Sequence, residues 1–174
     1  MAAAKIEVFT FKDGLLARLA HDLRLSLRRF ELRRDGDRIT GTFWPGTLVV
    51  DGAVGKHGLD TSALSADQRG TIVGNMAEVL QVARHPEVTV DGTVTGGRFA
   101  GTLTLVGRGL PIEATLAEIG GVVKAEVVLV PSRWGIAPYR ALAGAIKLQD
   151  RVVVRVEVPA GAPDPCVWSG PNSS

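Results

Sequence analysis

The residues with the most chemical potential are three histidines and one cysteine: His21, His57, His85 and Cys166. Histidine titrates near neutral pH, so it can move protons, ligate a metal or meet a polar head group. His21 precedes Asp22, and a carboxylate neighbour can fix the tautomer of an imidazole. Adjacent strand residues point to opposite faces, however, which argues against a dyad. A structural or solvent-facing role, head-group binding and metal ligation all stay open for His21. His57 follows Lys56 in a glycine-rich stretch and His85 precedes Pro86, so both read as surface or capping residues. No base is placed near Cys166 by sequence, and a single cysteine permits neither an internal disulfide nor a cysteine-rich metal site.

Catalytic motifs are absent. There is no HExxH, GxSxG, CxxC or Walker loop; GAVGK at 52–56 has too few residues between its glycines. GRGLPI at 107–112 departs from the dinucleotide fingerprint at its last position and joins two strands rather than a strand and a helix. Motif by motif, no catalytic residue, metal site or cofactor is expected.

The 174 residues are 45% hydrophobic and 22% charged, with 21 glycines and only 5% aromatics. Mean hydropathy of +0.18 excludes a disordered, highly charged chain. The length suits one domain with a sizeable core. No stretch approaches the ~20 apolar residues of a membrane-spanning helix. The first residues lack the basic-then-apolar run of a secretory signal, so the expected location is cytoplasmic. Twenty basic against 18 acidic residues leave a net charge of +2, no signature of polyanion binding. The basic residues do cluster. Arg18, Arg24, Arg28, Arg29, Arg33, Arg34 and Arg38 stand against Asp22, Glu31, Asp35 and Asp37. That pattern fits a solvated strand face, or one that meets an anionic membrane or ligand. Nucleic acid is not expected, since only Phe30 is there to stack on bases.

The elements that would position these residues alternate with period two and are punctuated by glycine turns, which predicts antiparallel strands with one buried face. Leu23, Leu25 and Leu27 share a face, and Phe30 and Leu32 continue it after a one-residue slip at Arg28/Arg29, which predicts a β-bulge. Asp35-Gly36-Asp37 predicts a hairpin. Residues 39–54 read as strand, interrupted at Trp44-Pro45-Gly46. Further strands are expected at 87–94, 98–107, 110–119, 122–130 and 151–159, with turns at 95–97, 107–109 and 120–121. Ile72, Met76, Val79, Leu80 and Ala83 recur at helical spacing, predicting one amphipathic helix over 65–84, capped by Ser65 or Asp67 and stopped by Pro86. Residues 131–143 read as an irregular insertion with a helical turn at 139–143. The expected architecture is mainly β: an antiparallel meander closing into a sandwich or a barrel of about eight strands over 1–158, with a disordered tail over 159–174. Gly92, Gly101, Ala114 and Ala125 lie among larger inward residues, which suits either a filled or a hollow barrel.

GTLTLVGRGLPIEATL at 101–116 resembles the strand–turn–strand pattern of the YceI-like family of polyisoprenoid-binding, lipocalin-like proteins, carried by Leu103, Thr104, Gly107, Pro111 and Leu116. ARHPEVTVDG at 83–92 is similar to that family's helix-ending segment, and 130–158 to its arginine–aromatic–Gly–Ile stretch through Arg133, Trp134, Gly135, Ile136 and Asp150. His21 stands where the family's first core strand often has a histidine. Many relatives carry a leader that is not seen here, and the approach to the helix departs from their Phe-rich pattern. The resemblance implies a barrel around an elongated hydrophobic cavity, often in a homodimer, holding an isoprenoid quinone or a similar long-chain amphiphile for storage or transport. On that reading Phe99, Leu103, Leu105, Ile112, Leu116, Val127, Leu129, Val154 and Val156 line the cavity. Met76 and Leu80 cover one end, Trp134 and Tyr139 stand at the mouth, and Arg133 or His21 meets the head group. The alternative is an interaction module that docks an anionic membrane surface or a protein through the arginine face.

Overall fold

The computed structural model describes residues 3–13, 21–141 and 146–172, folded as an antiparallel sheet of thirteen strands with one α-helix. In chain order the strands are β1 (Lys5–Asp13), β2 (Asp22–Leu27), β3 (Phe30–Asp35), β4 (Arg38–Phe43), β5 (Leu48–Gly55) and β6 (Gly58–Asp60). Helix α1 (Ala66–Val79) follows. The chain continues through β7 (Val88–Thr95), β8 (Arg98–Leu105), β9 (Arg108–Ile119), β10 (Val122–Leu129), β11 (Arg140–Ala141), β12 (Ile146–Pro159) and β13 (Cys166–Ser169). The hydrogen-bonded order is β13-β3-β4-β7-β8-β9-β10-β12-β1-β2-β5-β6, with β11 on β12. The mainly-β, antiparallel expectation holds, but this order has two ends and more strands than the eight expected.

Two kinks account for two of the five extra strands, and β6, β11 and β13 are the other three. Arg28 and Arg29 interrupt β2–β3, where the bulge was expected, and Pro45 opens a 3₁₀ turn over Pro45–Thr47 between β4 and β5. The two breaks lie opposite one another. The Arg28 N–H donates to the Thr47 carbonyl (3.3 Å), the Arg29 N–H to Thr47 Oγ1 (2.9 Å), and the Trp44 N–H to the Arg29 carbonyl (3.2 Å). One long hairpin therefore bends in the middle: β2 pairs with β5 below the kink and β3 with β4 above it. Beside the kink, the Arg29 guanidinium lies 4.0 Å from the centre of the Trp44 ring.

Local rules place most boundaries. Ser65 caps α1 and forms a reciprocal capping box with Gln68. The helix ends at Val79 rather than Arg84, because Gln81 adopts a left-handed conformation (φ 51°). The Val82 N–H then returns to the Ala77 carbonyl and the Gln81 N–H to the Glu78 carbonyl, a Schellman closure one turn before Pro86. The β8–β9 turn falls at Val106-Gly107 (φ 51° and 74°) rather than at 107–109, with Arg108 and Gly109 already in β9.

Past the helix, the helical turn expected at 139–143 is replaced by a 3₁₀ turn over Pro131–Trp134 and by β11, while 142–145 lie outside the described residues. Asp150 accepts hydrogen bonds from the Ser132 N–H (3.0 Å) and the Ser132 hydroxyl, which anchors that turn on β12.

The expected disordered tail is a further correction. Cys166–Ser169 form β13 on β3, and the Gly36 N–H donates to Asp164 Oδ1 (2.9 Å). Among the described residues no helix is long and apolar enough to cross a membrane.

Candidate functional site

The inward faces of the strands line a cavity of about 500 Å³, within the range usual for small-molecule sites. Period-two alternation is the reason. Val123, Ala125, Val127 and Leu129 of β10 and Val152, Val154, Val156 and Val158 of β12 all point into it. Their neighbours Lys124, Glu126 and Arg155 form ion pairs away from it: Arg155 with Glu126 (2.8 Å) and Lys124 with Glu157 (3.3 Å). Phe99, Leu103 and Leu105 of β8 and Ile112, Ala114 and Leu116 of β9 continue the lining.

Only part of the interior is hollow. Leu25 and Phe30 are completely buried and lie outside the cavity wall, whereas Leu27 and Leu32 line it. The glycines do not create the space either. A Cβ on Gly92 or on its cross-strand partner Gly101 would come within 2.7 Å of the Phe99 ring, which covers both. Their bare backbones make room for Phe99, not for a guest.

The two ends differ. At one, Met76, Val79 and Leu80 of α1 face the cavity beside Tyr139, whose hydroxyl accepts a hydrogen bond from Asn75 Nδ2 (2.9 Å). At the other, the β3–β4 turn contributes Arg34, Gly36 and Asp37, next to 159–162. Arg34 Nε donates to the Gly36 carbonyl (3.1 Å).

Met76, Leu80, Phe99, Leu103, Leu105, Ile112, Leu116, Val127, Leu129, Tyr139, Val154 and Val156 are brought together on this one surface. Three expected site residues are elsewhere. Trp134 is buried, 3% exposed, with its Nε1–H on the Leu103 carbonyl (3.1 Å), so it braces β8 instead of forming the mouth. Arg133 is exposed, its guanidinium 5.8 Å from the Trp134 ring centre, while its carbonyl accepts from Arg108 (3.0 Å). His21 is exposed and off the cavity wall, and the Asp60 carboxyl is held below its ordinary value chiefly by hydrogen bonds from Ser62. Asp22 is committed to the Lys12 N–H (2.8 Å), so the His21-Asp22 pair forms no dyad.

Ile6, Val8 and Thr10 of β1 were missed, although their alternation in KIEVFT was visible in the sequence. Trp168 was missed because β13 was read as tail. Thr10 is 2% exposed, and its hydroxyl has no hydrogen-bond partner. The Cys166 thiol is pushed up by burial, away from the reactive thiolate. Among the described residues no three His, Cys, Asp or Glu side chains gather as a metal site.

No family model matches the chain, and no curated protein matches it. Among solved structures it is similar to the crystal structure of Burkholderia cenocepacia BcnA, with a TM-score of 0.57 and 11% identity over 88% of this chain and 94% of that one. At that identity the likeness shows a common fold.

Proposed function

We propose that this chain is a non-catalytic binding protein that stores or carries an isoprenoid quinone or a similar long-chain amphiphile. The observation that carries the reading is the cavity of about 500 Å³, walled mostly by apolar side chains from eleven of the strands and α1. Burying an apolar chain there would contribute roughly 0.8 kcal/mol per methylene before ordering costs. The YceI-like resemblance supports the same class of ligand, and the fold similarity to BcnA is consistent with the same architecture.

The expected eight-stranded barrel belongs to this reading too. With bent β2–β3 and bent β4–β5 each counted as one strand, β1 pairs with the first and β7 with the second. The remaining pairs, β7–β8, β8–β9, β9–β10, β10–β12 and β12–β1, complete a ring of eight. Strands β6, β11 and β13 then lie outside the ring as additions to β5, β12 and β3. A homodimer, a cytoplasmic location and transient contact with the membrane that supplies the ligand complete the proposal.

Organic extraction of protein purified without detergent, followed by mass spectrometry, tests it. A co-purifying prenyl or long-chain lipid is expected. Protein that yields none, and that fails to take up added long-chain amphiphiles, would overturn the reading.

The docking alternative finds less support in the arginine face. Arg24 pairs with Glu7 (3.2 Å) and Asp51 (2.9 Å), Arg38 with Asp91 (2.7 Å), and Arg29 covers Trp44. Arg18 lies outside the described residues.

A further inference from the structure

Among the described residues one buried side-chain polar atom has no hydrogen-bond partner, and it belongs to a residue of the cavity wall. Thr10 follows Ile6 and Val8 on the inward face of β1 and is 2% exposed, yet its Oγ1 meets no donor or acceptor. A valine would fit the same space without leaving a buried hydroxyl unsatisfied, an arrangement that proteins rarely keep. The other side-chain polar groups named at this end each hold at least one hydrogen bond. The Tyr139 hydroxyl accepts from Asn75 (2.9 Å), and Gln149 Nε2 donates to the Lys12 carbonyl (3.2 Å).

Position fixes the direction. Thr10 pairs with Val152 and Leu23, and the Tyr139 carbonyl accepts from Leu148, whose partner on β1 is Lys12. Thr10 is therefore on the α1–Tyr139 side of the cavity. From Leu23 the chain runs away through Leu27 and β3 to the turn that holds Arg34 and Asp37, the only charged side chains in the described wall. No charge on the wall faces a guest near Thr10.

We propose that Thr10 Oγ1 anchors the neutral oxygen head group of the bound amphiphile, a carbonyl or a hydroxyl, inside the cavity. The head lies toward α1 and Tyr139, and the apolar chain extends toward the Arg34–Asp37 end. This assignment rests on the cavity being the ligand site. A hydroxyl both donates and accepts, so it serves either head; an anionic head would be desolvated there without a countercharge.

Displacement of Nile red by decylubiquinone, 1-hexadecanol and hexadecane, measured on wild type, Thr10→Val and Thr10→Ser, tests the assignment. Thr10→Val is expected to weaken one or both oxygen-bearing probes about tenfold and to leave hexadecane unchanged. Loss confined to the quinone identifies a carbonyl head, and loss confined to the alcohol a hydroxyl. Thr10→Ser restores the affinity, and the melting temperature of Thr10→Val is not lowered. Equal weakening of all three probes, or of none, overturns the role of Thr10 while leaving the cavity as a binding site. Failure of every probe to displace the dye from wild type overturns the binding function itself, and Thr10's role with it.

Discussion

Trp134 Nε1 donates to the main-chain carbonyl of Leu103 across 3.1 Å, and both side chains are buried. The bond ties the 3₁₀ turn Pro131–Trp134 to β8, between the strand that ends at Leu129 and the segment that leads to Tyr139. An indole that could have stood at the cavity mouth is instead a strut behind its wall.

Trp134→Phe keeps most of the ring and removes the donor, so it should cost about 1–2 kcal/mol of unfolding free energy. Trp134→Ala should cost about 3–5 kcal/mol, since it also leaves a hole. Urea unfolding of the two variants checks this. Equal stability of wild type and Trp134→Phe would show that the Leu103 carbonyl finds another partner.

Filled and hollow parts of the interior should respond oppositely to a change in volume. Ala125 lines the cavity, so Ala125→Leu should hold or raise the melting temperature while reducing uptake of an apolar dye. Leu25 is 0% exposed and off the cavity wall, so Leu25→Ala should lose about 2–5 kcal/mol. Thermal melts together with dye titrations separate the two. A destabilised Ala125→Leu would mean that the space beside it is not open.

Val106 occupies a left-handed turn position at φ 51°, which a β-branched residue adopts only with strain, and Gly107 follows at 74°. Asn-Gly is the favoured pair for such a hairpin. Val106→Asn should therefore relieve about 1 kcal/mol of strain, offset in part by lost packing against the core. A small rise in melting temperature is expected, and a clear fall would show that the packing outweighs the strain.

Burial works to raise the Glu157 carboxyl, but hydrogen bonds and attraction from Lys5 (3.1 Å) and Lys124 (3.3 Å) outweigh it and hold the group below its ordinary value. A lowered folded value means that the stabilisation is fully present above the usual carboxylate range. It is lost as pH falls through the lowered value. Both lysines are about half exposed, so the effect is small. Glu157→Gln should flatten the acid side of the stability–pH curve slightly. Superimposable acid limbs for the two proteins would remove the pair from the account.

Much of the wall was legible in the sequence because a strand's alternation is a local property. The period-two runs assigned the inward residues of β8, β9, β10 and β12, and Ser65, one of two cap candidates, marked the start of α1. Turn chemistry was nearly as local, missing by one residue at Val106-Gly107.

What alternation cannot carry is what lies across the interior. Leu23, Leu25 and Leu27 share one face of β2, yet only Leu27 borders the cavity, because depth in the core depends on strands far away in the chain. Likewise Gly92 and Gly101 suit a filled and a hollow interior alike until the Phe99 ring is seen to cover them. Strand β13 needed β3 as a partner, more than a hundred residues upstream, before a Pro- and Gly-rich segment could become sheet. Thr10 looked like an ordinary strand residue; only the packing around it buries its hydroxyl without a protein partner. Amino-acid order determined which faces are apolar, a consequence of local geometry. The tertiary structure decided which of those faces meet one another and which meet empty space.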